Sequence, residues 1–414
     1  MKRSIAILHF AAPPIIGGVE STIYHHACLL TDAGYEVSII TGRGEPFNPQ
    51  VKVQIIPEID SRFPIVLDIG KELANGEVSS QFIELRDLLV EKLRSNLENI
   101  EICIVHNALT LHKNIPLTAA LHVLSTQTEP QLIAWCHDFA WQDPIYTPDL
   151  HAGYPWDLLK TPWSGVVYVV VSEHRRTRLA DLFNIPSQDI RVIHPGVSID
   201  QFYKLEPLTQ RLVNKLKLLQ SNPLVLLPAR ITRRKNIQFG IRITAALKKY
   251  FPKVGLVITG PPGPHNPKNI AYLQSLYELR NELKVNSSVH FLYEFGEDDQ
   301  SLFIPDEVIA DFYQLADALI FPSRREGFGI PILEAGLARI PIFAADIPTV
   351  RESAGEYAYL FDPDEDPDVV AQSISDLLES NHSYQLRQRV LSKFTWEAIL
   401  KKDLIPLMDE IGAK

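Results

Sequence analysis

The sequence predicts an α/β protein of two doubly wound domains, and three observations carry that prediction. The chain has 414 residues, more than one ordinary hydrophobic core takes. Short apolar, β-branched runs recur along it, bounded by turn residues and separated by helical stretches. That is the pattern of a parallel sheet covered on both faces. The alternation stops once, in a polar stretch from Tyr203 to Asn222, and then restarts. A cleft between two such domains is expected, with ligands at the carboxyl ends of the strands.

In the first half, Ser4 to Phe10 is an apolar run followed by a Pro/Gly loop and a helical stretch from Glu20 to Ala33. Gly34 ends that helix, and Glu36 to Thr41 reads as the next strand. Phe82, Leu85, Leu89 and Leu93 recur at helical spacing, which predicts an amphipathic helix from Ser79 to Leu97. Strands are expected at Glu101 to His106, Gln131 to Cys136 and Val166 to Ser172. After the polar stretch, taken as the linker, strands are expected at Leu224 to Pro228, Gly255 to Gly260, Val289 to Tyr293, Ala318 to Phe321, Ile340 to Ala344 and Ala358 to Phe361. Helices are expected at Ile237 to Tyr250, Ala271 to Leu283 and from about Ile332.

Composition excludes some classes. Hydrophobic residues make up 46% and charged residues 22%, ordinary for a globular protein. A formal net charge of -10 disfavours nucleic acid as a partner. Three widely spaced cysteines, Cys28, Cys103 and Cys136, fit reduced thiols in the cytoplasm rather than a disulfide framework. Met1-Lys2-Arg3 before an apolar run imitates a signal peptide, but His9 and Pro13-Pro14 interrupt the run, and a first strand explains it better. No stretch approaches the ~18 apolar residues of a membrane span. The basic cluster His174 to Arg178 is a candidate for weak membrane-surface contact, though a solvated helix face is the better reading.

The segment DALIFPSRREGFGIPILEAGLARIPIFAADIPTVRE is the most informative. A strand runs into a loop, Pro322 to Pro331, and then a helix. Glu326 lies in the loop and Glu334 in the expected first helical turn. Between them Gly327 and Gly329 leave backbone amides unshielded at a helix N-terminus, an anion site with an acid on each side. Phosphate suits the amides and hydroxyls suit the carboxylates, so a nucleotide sugar fits. An ordinary βα turn is the alternative. Arg230 and Lys235 follow a strand and are spaced to clamp a diphosphate, or else form a solvated surface. Gly17-Gly18 opens a helix after the first strand; it admits a close anion or makes only a tight turn. His137-Asp138 ends a strand, a better place for ligands than for core. No His/Cys spacing accompanies it, so a metal is not expected.

EGFGIPILEA resembles the Glu-x7-Glu signature of retaining glycosyltransferases of the GT-B fold, in family 4. WCHDFAW resembles the family's I-H-D-L element, and Arg230 with Lys235 its R-x4-K pair. Val171-Ser172-Glu173, the run Val192 to Val197 with Asp200 and Phe202, Thr259-Gly260 and Phe394-Thr395-Trp396 match further elements. His194-Pro195 stands where Pro-Asn is usual, and Arg339 where the family has a helix-ending glycine. The resemblance implies two Rossmann-like domains facing across a cleft. Residues 1–205 would bind acceptor, 206–390 the nucleotide sugar, and 391–414 would form a helix returning to the first domain.

The resemblance also implies roles. The donor ribose would sit on Glu334. Its phosphates would sit on Arg230, Lys235 and the amides of Gly329 and Ile330 and its base near Gly260, with Gly327 and Phe328 also among the donor-binding residues. Glu326 and His137 would hold sugar hydroxyls, Asp138 would face the acceptor, and Gly17 and Gly18 would approach the phosphates. Neither cofactor nor metal is implied, and the departing phosphate itself serves as base. A phosphorylase would need a lysine anchoring pyridoxal phosphate, a glycosidase two acids facing one sugar, and a GT-A transferase an Asp-x-Asp that only Asp362-Pro363-Asp364 formally supplies. A non-catalytic nucleotide-sugar-binding protein is the other alternative. Donor base and hexose (GDP-mannose or UDP-glucose), acceptor identity and oligomeric state are not legible.

Overall fold

The computed structural model describes residues 3–126, 130–263, 268–296 and 302–411. Of the residues singled out above, Met1 and Lys2 lie outside these. The chain divides into two compact units, Met1–Val197 with Phe394–Lys414, and Ser198–Lys393.

The first unit holds seven parallel strands: β1 (Ser4–His9), β2 (Glu36–Thr41), β3 (Lys52–Ile55), β4 (Ile102–His106), β5 (Gln131–Cys136), β6 (Val167–Val170) and β7 (Ile190–Val192). Their order is β3-β2-β1-β4-β5-β6-β7. Helices Pro64–Ala74, Ser80–Asn96 and Ile115–Ser125 cover one face, burying Phe82, Leu85, Leu89 and Leu93 as the spacing predicted. Ser79 caps the second of these by accepting the Phe82 amide at 3.3 Å. The opposite face is covered by helix Gly18–Asp32 and by the C-terminal segment, whose Trp396, Leu404, Leu407 and Met408 are buried there.

The second unit holds β8 (Leu224–Leu227), β9 (Gly255–Ile258), β10 (Val289–Phe291), β11 (Ala318–Phe321), β12 (Ile342–Ala345) and β13 (Tyr359–Phe361), in the order β10-β9-β8-β11-β12-β13. The pairings between these strands are all parallel. Strand order therefore reverses between β1 and β4 in one sheet and between β8 and β11 in the other. These are the switch points where doubly wound sheets take ligands.

Two expectations need correction. The polar stretch from Tyr203 is not a free linker. Residues Pro207–Leu216 form a helix that buries Thr209, Leu212 and Val213. Its apolar residues are few but share one face, and Asp311 accepts both the Glu206 amide at 2.8 Å and the Thr209 hydroxyl at 2.5 Å. Ile199 and Leu205 already sit in the second unit's core, so the division falls at 197/198, not at 205/206. The return falls at 393/394, not at 390/391. The two crossings are bonded to each other: the Val197 amide donates to Phe394 O at 2.8 Å, and the Trp396 amide to Val197 O at 3.2 Å.

Arg339 takes the place of a helix-ending glycine and adopts its conformation, with φ 61°. The Arg339 amide donates to Gly336 O at 3.1 Å and the Ile340 amide to Ala335 O at 3.2 Å, a Schellman closure. A side chain in this left-handed region is strained by about 1 kcal/mol. Arg339→Gly is therefore expected to raise unfolding stability by about that amount. An unchanged urea midpoint would show that the arginine carries a compensating interaction.

Candidate functional site

In the second unit the candidate residues gather at the β8/β11 switch point. Arg230 follows β8 and is exposed; among the described residues it makes no ion pair. Gly260, after β9, packs against it: a Cβ there would lie 2.4 Å from Ala229 O and 2.6 Å from the Arg230 amide. The glycine thus sets the path of the Arg230 backbone.

The turn Arg233–Lys235 carries the other cations. Lys235 Nζ donates to Glu326 Oε1 at 2.5 Å, and Arg234 Nη1 to Glu326 Oε2 at 3.1 Å. The Lys235 and Glu326 side chains are only 10% and 7% exposed. Arg234 also donates to Arg325 O, and the Arg324 amide to Arg234 O, stitching the two loops together. Burial opposes the charge of Glu326, but the hydrogen bond from Lys235 and the charges of Lys235 and Arg234 outweigh it, so its carboxyl titrates below the ordinary value. Burial lowers the Lys235 pKa, partly offset by Glu326. Nothing in the sequence separated Arg234 from the exposed Arg233; its partner lies 92 residues away.

Helix Ile330–Leu337 starts two residues earlier than expected, because Pro331 suits a first helical turn. Glu334 therefore stands in the second turn, not the first. Tyr313 Oη donates to Glu334 Oε2 at 2.6 Å, a link unreadable from sequence. Gly329 caps the helix at φ 100°, conformationally a glycine position, while Gly327 and Phe328 are exposed. The first amides of a helix have no intrahelical partner, and this end is flanked in sequence by the two acids, which suits an anion.

In the first unit the residues gather at the ends of β1, β4 and β5. Helix Gly18–Asp32 starts after β1 with Gly17 as its extended N-cap. The Glu20 carboxylate folds over Gly17, 2.0 Å from where a Cβ would be, whereas Gly18 faces open space. Asn107, left-handed at φ 58°, accepts the His137 amide at 2.8 Å and the Asp138 amide at 3.2 Å. His137 Nε2 lies 3.1 Å from His106 Nδ1. Burial, with the charge of Arg175 beside it, lowers His137 to about 4, so the ring is neutral near pH 7. Asp138 pairs with Arg175 at 3.2 Å. The basic cluster is thus more than a solvated face: Arg175 holds Asp138, Arg176 pairs with Glu173, and Arg178 bonds Gln142. Asn107 and His106 carried no recognisable local motif, and the basic cluster that holds Arg175 did not point to Asp138. No group of three or more His, Cys, Asp or Glu among the described residues forms a metal cluster.

The profile described as Glycosyl transferases group 1 matches residues 209–392, and that of Glycosyltransferase Family 4 matches residues 16–201. The chain belongs to the group 1, family 4 glycosyltransferases. Its paired doubly wound domains are those of the GT-B fold. This glycosyltransferase is 27% identical to the alpha-1,3/1,6-mannosyltransferase ALG2 of Kluyveromyces lactis, over 97% of this chain and 83% of that one. It is 23% identical to the mannosylglucosylglycerate synthase of Petrotoga mobilis, over 61% of each. A GDP-mannose-dependent alpha-(1-6)-phosphatidylinositol monomannoside mannosyltransferase of Mycolicibacterium smegmatis is 27% identical over 46% of this chain and 44% of that one. Among solved structures, a sucrose-phosphate synthase of Thermosynechococcus elongatus aligns over 100% of both chains at 18% identity and a TM-score of 0.39, too loose a likeness to bear on the site.

Proposed function

We propose that this glycosyltransferase moves a hexose, with retention of configuration and without a metal, from a nucleotide-diphosphate sugar to a hydroxyl acceptor. The cationic turn bonded to Glu326, beside the open N-terminus of helix Ile330–Leu337, carries this reading. Arg230 and Lys235 stabilise charge on the departing diphosphate. Lys235 has three N–H donors and gives one to Glu326, which leaves two for phosphate oxygens. The amides of Gly329 and Ile330 serve the same oxygens, and Glu334 the ribose. Glu326 and His137 hold hexose hydroxyls. Asp138, already ion-paired, stands at the acceptor side of the first domain. The mannosyltransferase relatives favour GDP-mannose over UDP-glucose as donor, and a saccharide, polyol or lipid-linked glycan as acceptor. The three unpaired cysteines fit a cytoplasmic setting.

Turnover of GDP-mannose and UDP-glucose by purified protein over an acceptor panel tests the reading, with product anomers assigned by NMR. Transfer is expected to survive EDTA. Loss on chelation, restored by Mg2+ or Mn2+, would overturn the metal-free mechanism; nucleotide-sugar binding without turnover would leave a binding protein.

The two glutamates are expected to fail differently. Glu334→Ala should weaken nucleotide-diphosphate binding by about 1.5–3 kcal/mol, the worth of a hydrogen bond to a charged group. Glu326→Ala should lower transfer more than that binding, because its partner hydroxyls exist only on the sugar, although Lys235 and Arg234 also lose their carboxylate. Titrating both variants with nucleotide diphosphate and with intact donor checks this; equal losses of diphosphate affinity would reverse the proposed donor orientation.

A further inference from the structure

Behind His137 lies a cluster of rings that the transferase reading does not use. His106 is fully buried, and its ring is 5.4 Å from His137, 5.7 Å from Trp135 and 5.9 Å from His26. His26 and Trp135 approach each other at 4.6 Å. Both ring nitrogens of His26, Nε2 of His106 and Nε1 of Trp135 are buried without a hydrogen-bond partner among the described residues. Only Nδ1 of His106 is engaged, with His137 Nε2 at 3.1 Å.

Neutral imidazoles carry one proton each, so the contact has two forms. If His137 donates, His106 must hold its own proton on Nε2. The buried group would then contain three unpartnered N–H donors, on His106, His26 and Trp135, and one unfilled lone pair, on His26. If His106 donates instead, its Nε2 is a lone pair. The group then holds two unpartnered donors and two unfilled acceptors. Buried N–H groups without acceptors are rarer in proteins than unfilled acceptors, so the second form is preferred.

We infer that His106 donates its Nδ1 proton to His137 and thereby fixes His137 as the Nδ1–H tautomer, an obligate hydrogen-bond donor to a ligand oxygen. His106 is a positioning residue. His137 then serves a hydroxyl oxygen that accepts, and takes no proton from the substrate. This assignment of His137 to a sugar hydroxyl rests on the transferase reading; the tautomer does not.

Nitrogen-15 NMR of the full-length protein labelled at histidine tests it, with His137 assigned by the signals missing from His137→Ala. The expected result is the Nδ1–H signature at His137 in the wild-type protein. An Nε2–H signature there overturns the inference whatever the activity. Two variants supply the functional readout. His106→Leu removes the donor and is expected to lose the fixed tautomer and to lower transfer about tenfold, the worth of one hydrogen bond to substrate. His106→Asn places an amide N–H the same number of bonds from Cα as Nδ1 and is expected to restore both. Failure of His106→Asn to exceed His106→Leu in transfer overturns the donor role. If His106→Leu does not fold, the wild-type spectrum alone decides the tautomer. An Nδ1–H signature in a protein that transfers no hexose would remove the transferase reading and leave the tautomer standing.

Discussion

Lys235→Ala is expected to lower hexose transfer by about 2 kcal/mol or more, roughly 30-fold, and Arg230→Ala to do the same, as removal of a group that stabilises developing charge does. The two losses should differ in pH dependence. Lys235 is the nearest cation to Glu326, at 2.5 Å, and helps hold that carboxyl below its ordinary pKa. Its removal should raise the Glu326 pKa and move the acid limb of the pH–rate profile upward. Arg230 makes no ion pair with Glu326, so Arg230→Ala should leave that limb in place. The stability linkage has the same sign: a depressed carboxylate contributes stability above its unfolded pKa, lost as pH falls through the folded one. Steady-state rates between pH 4 and 8 check both points. Near-normal turnover in both variants would remove the diphosphate clamp.

Asp317→Ala is expected to destabilise the second domain by about 3 kcal/mol. The Asp317 side chain is 1% exposed and accepts from Arg387 at 2.7 Å, from the Leu224 amide at 2.7 Å and from Gln388 at 3.2 Å. It joins the start of β8 to helix His382–Lys393. Alanine would strand the buried Leu224 amide and the Arg387 guanidinium together. Adding Arg387→Leu should recover part of the loss, since the uncompensated charge goes with it. Urea unfolding of the three variants gives the numbers. A loss below about 1 kcal/mol for Asp317→Ala would mean that water replaces these contacts.

Much of this was legible locally. The central strands are buried on both faces and read as continuous apolar runs, as in Leu224–Leu227 and Ala318–Phe321. Edge strands were harder: Lys52–Ile55 and Ile190–Val192 are only partly buried and mix charged with apolar residues. The helix Pro207–Leu216 was read as linker because composition hid its single apolar face. In the site, the glutamates, glycines and Arg230/Lys235 stood out because their spacing is local. The bonds that orient them are not local. Tyr313 meets Glu334 from 21 residues away, His106 meets His137 from 31, and Arg234 meets Glu326 from 92. The parallel sheets, by aligning strand ends, bring together the His106–His137 and Arg234–Glu326 pairs, and the packing of helix Asp306–Leu315 brings Tyr313 to Glu334.

The paired crossings at Val197 and Phe394 make the second domain an insertion within the first. It is one uninterrupted segment, Ser198–Lys393, whereas the first domain is assembled from the segments on either side of it. During synthesis the inserted segment can complete its core while its host still lacks Trp396, Leu404, Leu407 and Met408, which close the β1 side of the first sheet. Each of those side chains contributes about 1.5–3 kcal/mol when buried. A stop codon just after Lys393 would therefore spare the domain it adjoins and cripple the one that begins the chain. His25 stacks on Trp396 at 4.7 Å, and His26 meets its edge at 5.7 Å. The ring cluster behind His137 is thus finished only by a segment that emerges after the inserted domain.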